Sequence, residues 1–374
     1  MADKLKIILN PHGGRLPTAA KITLVEQGLQ QAGLAYHLEV TARRGHAIEL
    51  ARQAACTGWP IVVAVGGDGM VSEVANGLLQ AAGDTEAGLL GIIPIGTAND
   101  LAQMLGIPSN AAAACRCLAA GVTRLIDVGM VNGHYFVNNS AVGLEPVVTV
   151  AHDRMRWVKG NLRYILAALQ TLRGAKPWPM RLSWDASMFE GPINLVSIGN
   201  SNRTGGSFYM TPQAQLDDGL LDFLFASGLS KLQLLRLLPQ TFTGGHITHP
   251  QVVYRQATAL SITAFTPTLI QADGEIIADS ATEINYQIIP KKIADDYLNS
   301  APPSLVAQTW FSSALLPDGL DLRRRSLDGF IWAVGGLAAA GSALFAARPH
   351  PRTGLRHRRT FCRDDRDGLS AGRG

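Results

Sequence analysis

The sequence predicts a parallel-sheet α/β domain followed by an all-β domain, a sandwich or partial barrel. Three observations carry this. Over residues 1–130, apolar β runs alternate with helical patterns. Several of those β runs end in glycine turns. From residue 131 onward, short strand-like runs follow one another between turn residues. The chain has 374 residues, 47% hydrophobic and 17% charged, enough for two packed domains with a core.

In the first domain, Leu5–Leu9 reads as a strand, Thr18–Ala32 as a helix, Ala35–Val40 as a strand and Gly45–Cys56 as a helix. Ile61–Val65 is a continuous apolar run, as expected for a strand buried on both faces. Behind it Val71, Val74, Ala75, Leu78 and Leu79 share one helical face. Leu89–Ile95 is the next strand, and Asp100–Leu105 begins a helix.

In the second domain, 131–283, strands are predicted at His134–Asn138, Met180–Trp184, Ile193–Asn200, Leu220–Phe225, Leu260–Phe265 and Leu269–Ala272. Helices are predicted at Met155–Leu172 and Lys231–Leu238. Residues 284–300, beginning with the strand Ile284–Ile289, form a separate last segment. Residues 301–374 read as a linker, an uncharged stretch (329–347) and an Arg-rich tail without periodicity, predicted to be disordered. The uncharged stretch reaches the length of a membrane span, but basic residues on both sides argue against a simple one.

The net charge of +4 suits an anionic ligand or membrane surface, and no basic block interleaved with aromatics supports nucleic-acid binding. Cys56, Cys115, Cys117 and Cys362 form no CxxC pair and no zinc spacing, so idle thiols in a reducing compartment are expected. The N-terminal apolar run is too short for a signal peptide, which points to the cytosol.

Three predicted strands end in glycine turns: Asn10-Pro11-His12-Gly13-Gly14, Gly66-Gly67-Asp68-Gly69, and Gly96-Thr97-Ala98-Asn99-Asp100. In a parallel sheet these turns leave at one carboxyl-terminal edge, where ligands bind. Glycine lets the backbone approach a ligand, and free amides at helix starts donate to phosphate oxygens. A polyphosphate site follows. There is no GxxxxGK[ST] motif, and Ser72 stands where a dinucleotide fingerprint needs its third glycine. Asp68 would repel bare phosphate but would help to hold a magnesium–phosphate pair.

The stretches VGGDGMVSEVANGLL, PIGTANDLAQMLGIP, QAQLDDGLLDF and QADGE resemble the diacylglycerol kinase catalytic-domain family, in its soluble bacterial lipid kinase branch, over residues 4–292. GGDG alone is shared with NAD kinases and phosphofructokinases; its combination with GTxND, LDDG and DGE is more specific. The resemblance implies an ATP- and Mg²⁺-dependent kinase, with an α/β nucleotide domain, a β-sandwich domain and a last segment, 284–300, that returns to the first domain, acting on a lipid alcohol such as diacylglycerol at a membrane surface. ATP would be bound by Asn10, Pro11, His12, Gly13, Gly14, Thr41, Gly66, Gly67, Asp68, Gly69, Met70, Val71, Ser72 and Thr97. Asp218, with the carbonyls of Gln215 and Leu220, would hold a metal, and Glu275 would be the general base.

On spacing alone Asp273-Gly274-Glu275 reads as an ordinary hairpin turn, and it is the resemblance that makes Glu275 catalytic. Met70 departs from the family's threonine and removes a hydroxyl near the phosphates; His46 replaces its usual acid. A kinase for a soluble acceptor such as NAD, or a catalytically weak nucleotide- or lipid-binding regulator, are the alternatives. The basic, aromatic helix His152–Arg173 suits an anionic membrane surface or a core helix with a solvated face. A homodimer is compatible with the sequence, which does not fix the oligomeric state.

Overall fold

The computed structural model describes residues 4–12, 16–83, 87–155 and 161–295. The first part runs β1 (Leu5–Leu9), α1 (Thr18–Gln31), β2 (Tyr36–Val40), α2 (His46–Cys56), β3 (Ile61–Gly66), α3 (Asp68–Ala82), β4 (Leu89–Pro94), α4 (Asp100–Met104) and α5 (Ala111–Ala120). Its four strands lie in the order β4-β3-β1-β2, all parallel, with Leu5 level with both Tyr36 and Ile61. Every residue of β1 and β3 is buried, which is why both read as unbroken apolar runs.

Then follow β5 (Arg124–Val131), β6 (His134–Phe136), β7 (Asn139–Gly143), α6 (Leu144–Arg154), α7 (Asn161–Gly174), β8 (Trp178–Trp184), β9 (Ser187–Gly199), β10 (Leu221–Ser227), α8 (Lys231–Leu237), β11 (Val252–Ala257), β12 (Ala259–Ala272) and β13 (Glu275–Asp295). This is the β-sandwich part. β9 and β12 are long, and each pairs with β7 over one stretch and with β8 over another. Met180, Leu182, Val196, Phe223, Ile262 and Ile284 fill the space they enclose. A second apolar cluster, containing Val148, Ala168, Leu172, Leu224 and Leu234, packs α6, α7 and α8 onto β10.

β13 ties the two parts together. It pairs antiparallel with β12 at its start and with β5 further on, then parallel with β4 through Ala294↔Leu89. The two strands predicted at 260–265 and 269–272 are one strand, β12. Pro267 between them falls where the register against β13 shifts, the place a sheet tolerates proline. The run predicted as one strand at 134–138 is a short hairpin strand, β6, and β7 starts only at Asn139. Of the helix predicted at Met155–Leu172, residues 156–160 lie outside the described residues and the rest is α7, Asn161–Gly174, while α6 ends at Arg154.

Cys56, Cys115 and Cys117 are free thiols, and burial raises Cys115 to about 11, so it is inert at neutral pH. No helix among the described residues is long and apolar enough to cross a membrane. The uncharged 329–347 stretch, the tail and Cys362 lie outside those residues.

Candidate active site

The turns after β3 and β4 are pressed together backbone against backbone. A Cβ on Gly96 would lie 2.3 Å from Gly67 Cα and 2.7 Å from Asn99 Oδ1, so only glycine fits. Gly96 N–H donates to Gly66 O and to Asn99 Oδ1, and Asn99 takes a left-handed backbone, φ 53°. In the turn after β1, His12 N–H donates to Asn10 Oδ1 at 2.8 Å. Thr41 is anchored beside it by its N–H to Leu9 O.

These turns border a cavity of about 470 Å³ lined by Asn10, His12, Thr41, Gly67, Asp68, Gly69, Met70 and Thr97 from the predicted set, with Arg43, Arg44, Glu73, Gly96 and Glu275. Of the other residues proposed for nucleotide, Val71 is core and Ser72 is buried with its hydroxyl bonded to Asp273. Gly66 lies against Met70 Cβ, and Pro11 O is taken by Lys21 Nζ at 2.6 Å. None of these four lines that cavity. Gly13 and Gly14 lie outside the described residues.

Glu275 comes from the far side. Asp273 (φ 47°) and Gly274 (φ 83°) form the two-residue turn between β12 and β13, both with the positive φ of a type I′ hairpin. The hairpin and the site are therefore one structure. Asp273 is buried and accepts the N–H groups of Val137, Asn138 and Asn139 at 2.8–3.1 Å, which fixes the turn. Burial raises its carboxyl to about 6, against the pull of those donors. The turn delivers Glu275 Oε1 to 3.9 Å from where a Gly69 Cβ would sit. The same oxygen accepts Arg44 Nε at 3.0 Å and NH2 at 2.9 Å. Arg44 lies three residues beyond Thr41 and is not among the residues that the family resemblance assigns to ATP.

Asp68 has a role that needs no metal. Its Oδ1 accepts Asp100 N–H at 2.5 Å, and it draws on the N–H groups of Asn99 and Leu101, so it caps α4. Burial nevertheless raises its pKa. Asp100 is raised to about 6 by burial and then by the Asp68 charge. Asp100 accepts Gly206 N–H at 2.9 Å, joining this turn to the loop after β9.

Asp68 and Thr97 also border a second cavity, of about 430 Å³, whose walls include Asp100, Asn139, Glu145, Arg163, Gln271 and Asp273. Sequence reasoning missed this side. Arg163, expected on a membrane-facing helix, lines the cavity and donates to His152 O at 2.7 Å.

Gln215, Asp218 and Leu220 border neither cavity. Their loop is pinned to β5: Asp127 N–H donates to Leu216 O, and Asp127 Oδ2 accepts Gly219 N–H, both at 2.6 Å. Burial raises Asp218, as do the Asp127 and Asp217 charges; Arg124 pairs with Asp217. One carboxylate among like charges, with carbonyl oxygens beside it, is a donor set that fits a hard cation. Among the described residues no group of three His, Cys, Asp or Glu side chains is placed to hold a metal, so such a site would lean on carbonyls.

The fold is that of the kinases that join a parallel sheet to a β sandwich. Residues 4–131 match the family described as diacylglycerol kinase catalytic domain, and residues 139–294 match the YegS C-terminal NAD kinase beta sandwich-like domain. A diacylglycerol kinase of Bacillus subtilis (strain 168) is 31% identical over 274 residues, covering 73% of this chain and 89% of its own. One from Staphylococcus haemolyticus (strain JCSC1435) is 31% identical, over 72% of this chain and 81% of its own. A crystal structure of a diacylglycerol kinase from Bacillus anthracis str. Sterne shares the fold, with a TM-score of 0.61 at 21% identity over 80% of this chain and 98% of that one. The chain belongs to the diacylglycerol kinase family and is an enzyme of the lipid kinase class.

Proposed function

We propose that this kinase transfers the γ-phosphate of ATP to the hydroxyl of a lipid alcohol such as diacylglycerol, presented at a membrane surface. The observation that carries the reading is the meeting, in one cavity, of three strand-end turns with a carboxylate that a hairpin delivers to 3.9 Å from where a Cβ on Gly69 would sit. Phosphoryl transfer needs positioning, charge neutralisation and an acceptor for the hydroxyl proton. Amides of the Gly67–Gly69 turn and the start of α3 suit the phosphates. Glu275 takes the hydroxyl proton, and Arg44, beside it, is placed to meet phosphate charge. Magnesium, when bound, would supply neutralisation of the phosphates, and Asp68 on the cavity wall would help to hold it; Asp218 with its carbonyls, which border neither cavity, would hold a separate cation.

The lipid acceptor is supported by the names of the relatives and by the outer faces of α7 and α8. Leu169, Leu232 and Leu235 stand exposed there, beside exposed Lys231 and Arg236. Apolar side chains among cations suit peripheral contact with an anionic membrane.

The test is transfer of labelled γ-phosphate from ATP into a total lipid extract, with the product identified. A labelled lipid phosphate that disappears in Glu275→Gln is expected. Label entering only a soluble acceptor such as NAD would overturn the lipid assignment, and tight ATP binding with no transfer would make the chain a regulator.

A further inference from the structure

Beneath α6, α7 and α8 lies an apolar cavity of about 100 Å³, walled by Val148, Ala168, Leu172, Leu224, Leu234 and Leu237. It is not an isolated packing defect. Glu145 and Phe208 line both this cavity and the polar one that contains Asp68, Thr97 and the Asp273-Gly274 turn. An amphiphile with its hydroxyl near Glu275 would have an apolar path leading away through that junction.

Glu145 is the unusual group at the junction. Its side chain is buried, Oε2 has no hydrogen-bond partner in range, Oε1 accepts Gln271 Nε2 at a long 3.5 Å, and the nearby Ser197 hydroxyl gives the charged form only partial support against burial. A buried carboxyl oxygen without a partner is costly, and a ligand's polar group would complete it. Burial raises this carboxyl to about 7, so a protonated, donating form is available at neutral pH. The complement of a donor at the edge of an apolar cavity is a hydrogen-bond acceptor at the top of a hydrocarbon chain.

We propose that this cavity takes the proximal part of the acceptor's acyl chain, and that Glu145 donates a hydrogen bond to the ester carbonyl joining chain to head. The inference rests on the lipid kinase reading and names which lipid feature is recognised. The cavity has roughly the volume of three water molecules, so it accommodates only the first methylenes.

The test compares dispersed dioctanoylglycerol with its dioctyl ether analogue, which lacks the carbonyls, as acceptors and as bound ligands. The wild type should favour the ester by about five- to tenfold in acceptor KM, the scale of one hydrogen bond. Glu145→Leu should erase that preference, and Glu145→Gln, still a donor, should keep most of it. Ala168→Phe, which fills the cavity, should raise acceptor KM about tenfold; an unchanged KM for ATP in all three variants shows that they are folded. Equal use of ester and ether by the wild type, or an Ala168→Phe enzyme with unaltered acceptor KM, would overturn the proposal while leaving the lipid kinase standing. If no lipid is phosphorylated but dioctanoylglycerol still binds in a manner sensitive to Ala168→Phe, the kinase reading falls and the cavity stands.

Discussion

The two cavities that meet at Asp68 and Thr97 are made of different materials. One is built on strand-end turns, where Gly67, Gly69 and Gly96 expose main chain and Asn10 bonds its own loop, with Arg43, Arg44, Glu73 and Glu275 as its charged side chains beside Asp68. The other is walled by side chains, among them Asp100, Asn139, Glu145, Gln271 and Asp273. A phosphate has the same shape in every substrate, so fixed amides suffice. An acceptor must be told from other alcohols, and that takes side chains.

If this division is right, its sharpest break is at Glu275, the carboxylate that lines the turn-built cavity. Glu275→Gln keeps the hairpin and removes the proton acceptor. Turnover should fall about 10²- to 10⁴-fold, with KM for ATP changed far less. Initial rates at several ATP concentrations check this. A drop expressed in KM for ATP instead would make Glu275 a nucleotide-binding group rather than the proton acceptor.

The backbone half should be intolerant of even one methyl. Gly96→Ala puts a Cβ 2.3 Å from Gly67 Cα, main chain that has no rotamer to change. A loss of about 2–3 kcal/mol is expected by urea unfolding. Gly174→Ala, where a Cβ meets nothing within 4 Å, is the control and should change stability by less than about 0.5 kcal/mol.

The same contrast explains what the sequence disclosed. β1, β3 and α1 to α3 follow from clean periodicity, and the turns between them are marked by glycines that nothing else could replace. Within the first part α5 is hard to read, because AAAACRCLAA is so uniformly small and apolar that its buried stripe Ala111, Ala114, Cys115 and Leu118 does not stand out. The second part hid more of its elements. The β-branched run Val147 to Val150 of α6 reads against helix. Asn139, Glu145 and Gln271 form no motif. They converge because β7 pairs with β12, which sets Ser140 level with Ala272 across more than a hundred residues. Pattern reading sees local order, and this site is assembled by long-range pairing.

The side-chain half should announce itself in the pH dependence of stability. Glu145 is raised from 4.5 to about 7 by burial, so the folded chain binds its proton more tightly than the unfolded chain does. Its protonated form therefore favours folding fully below pH 4.5, and that contribution is lost as pH climbs through 7. Between pH 6.5 and 8 the wild type should lose about 1 kcal/mol relative to Glu145→Gln, of a limit of ~3 kcal/mol. Asp100 and Asp273, raised to about 6, lose their last protons early in that window. His134 and His246, lowered by burial, add a slope of opposite sign as the unfolded chain's imidazoles deprotonate. Both contributions are common to the two proteins, so the difference between the curves reports Glu145. A wild-type curve parallel to the variant's would mean that Glu145 is already ionised and paired.

The smallest effect probes the loop that belongs to neither cavity. A cation held by Asp218 and the carbonyls of Gln215 and Leu220 would stabilise the folded chain in proportion to its saturation. Asp218 sits among Asp127, Asp217 and Asp222, whose charges favour such an ion and otherwise repel one another. Adding EDTA to the wild type should lower its thermal midpoint by roughly 2–4 °C, about 1 kcal/mol for a chain of this size. Asp218→Asn, with less charge to offset, should show no EDTA response, and magnesium without ATP should restore the wild type alone. If the midpoint moves only when ATP is present, the cation travels with the nucleotide in the backbone cavity, and this loop is held by Asp127 and its hydrogen bonds without a metal.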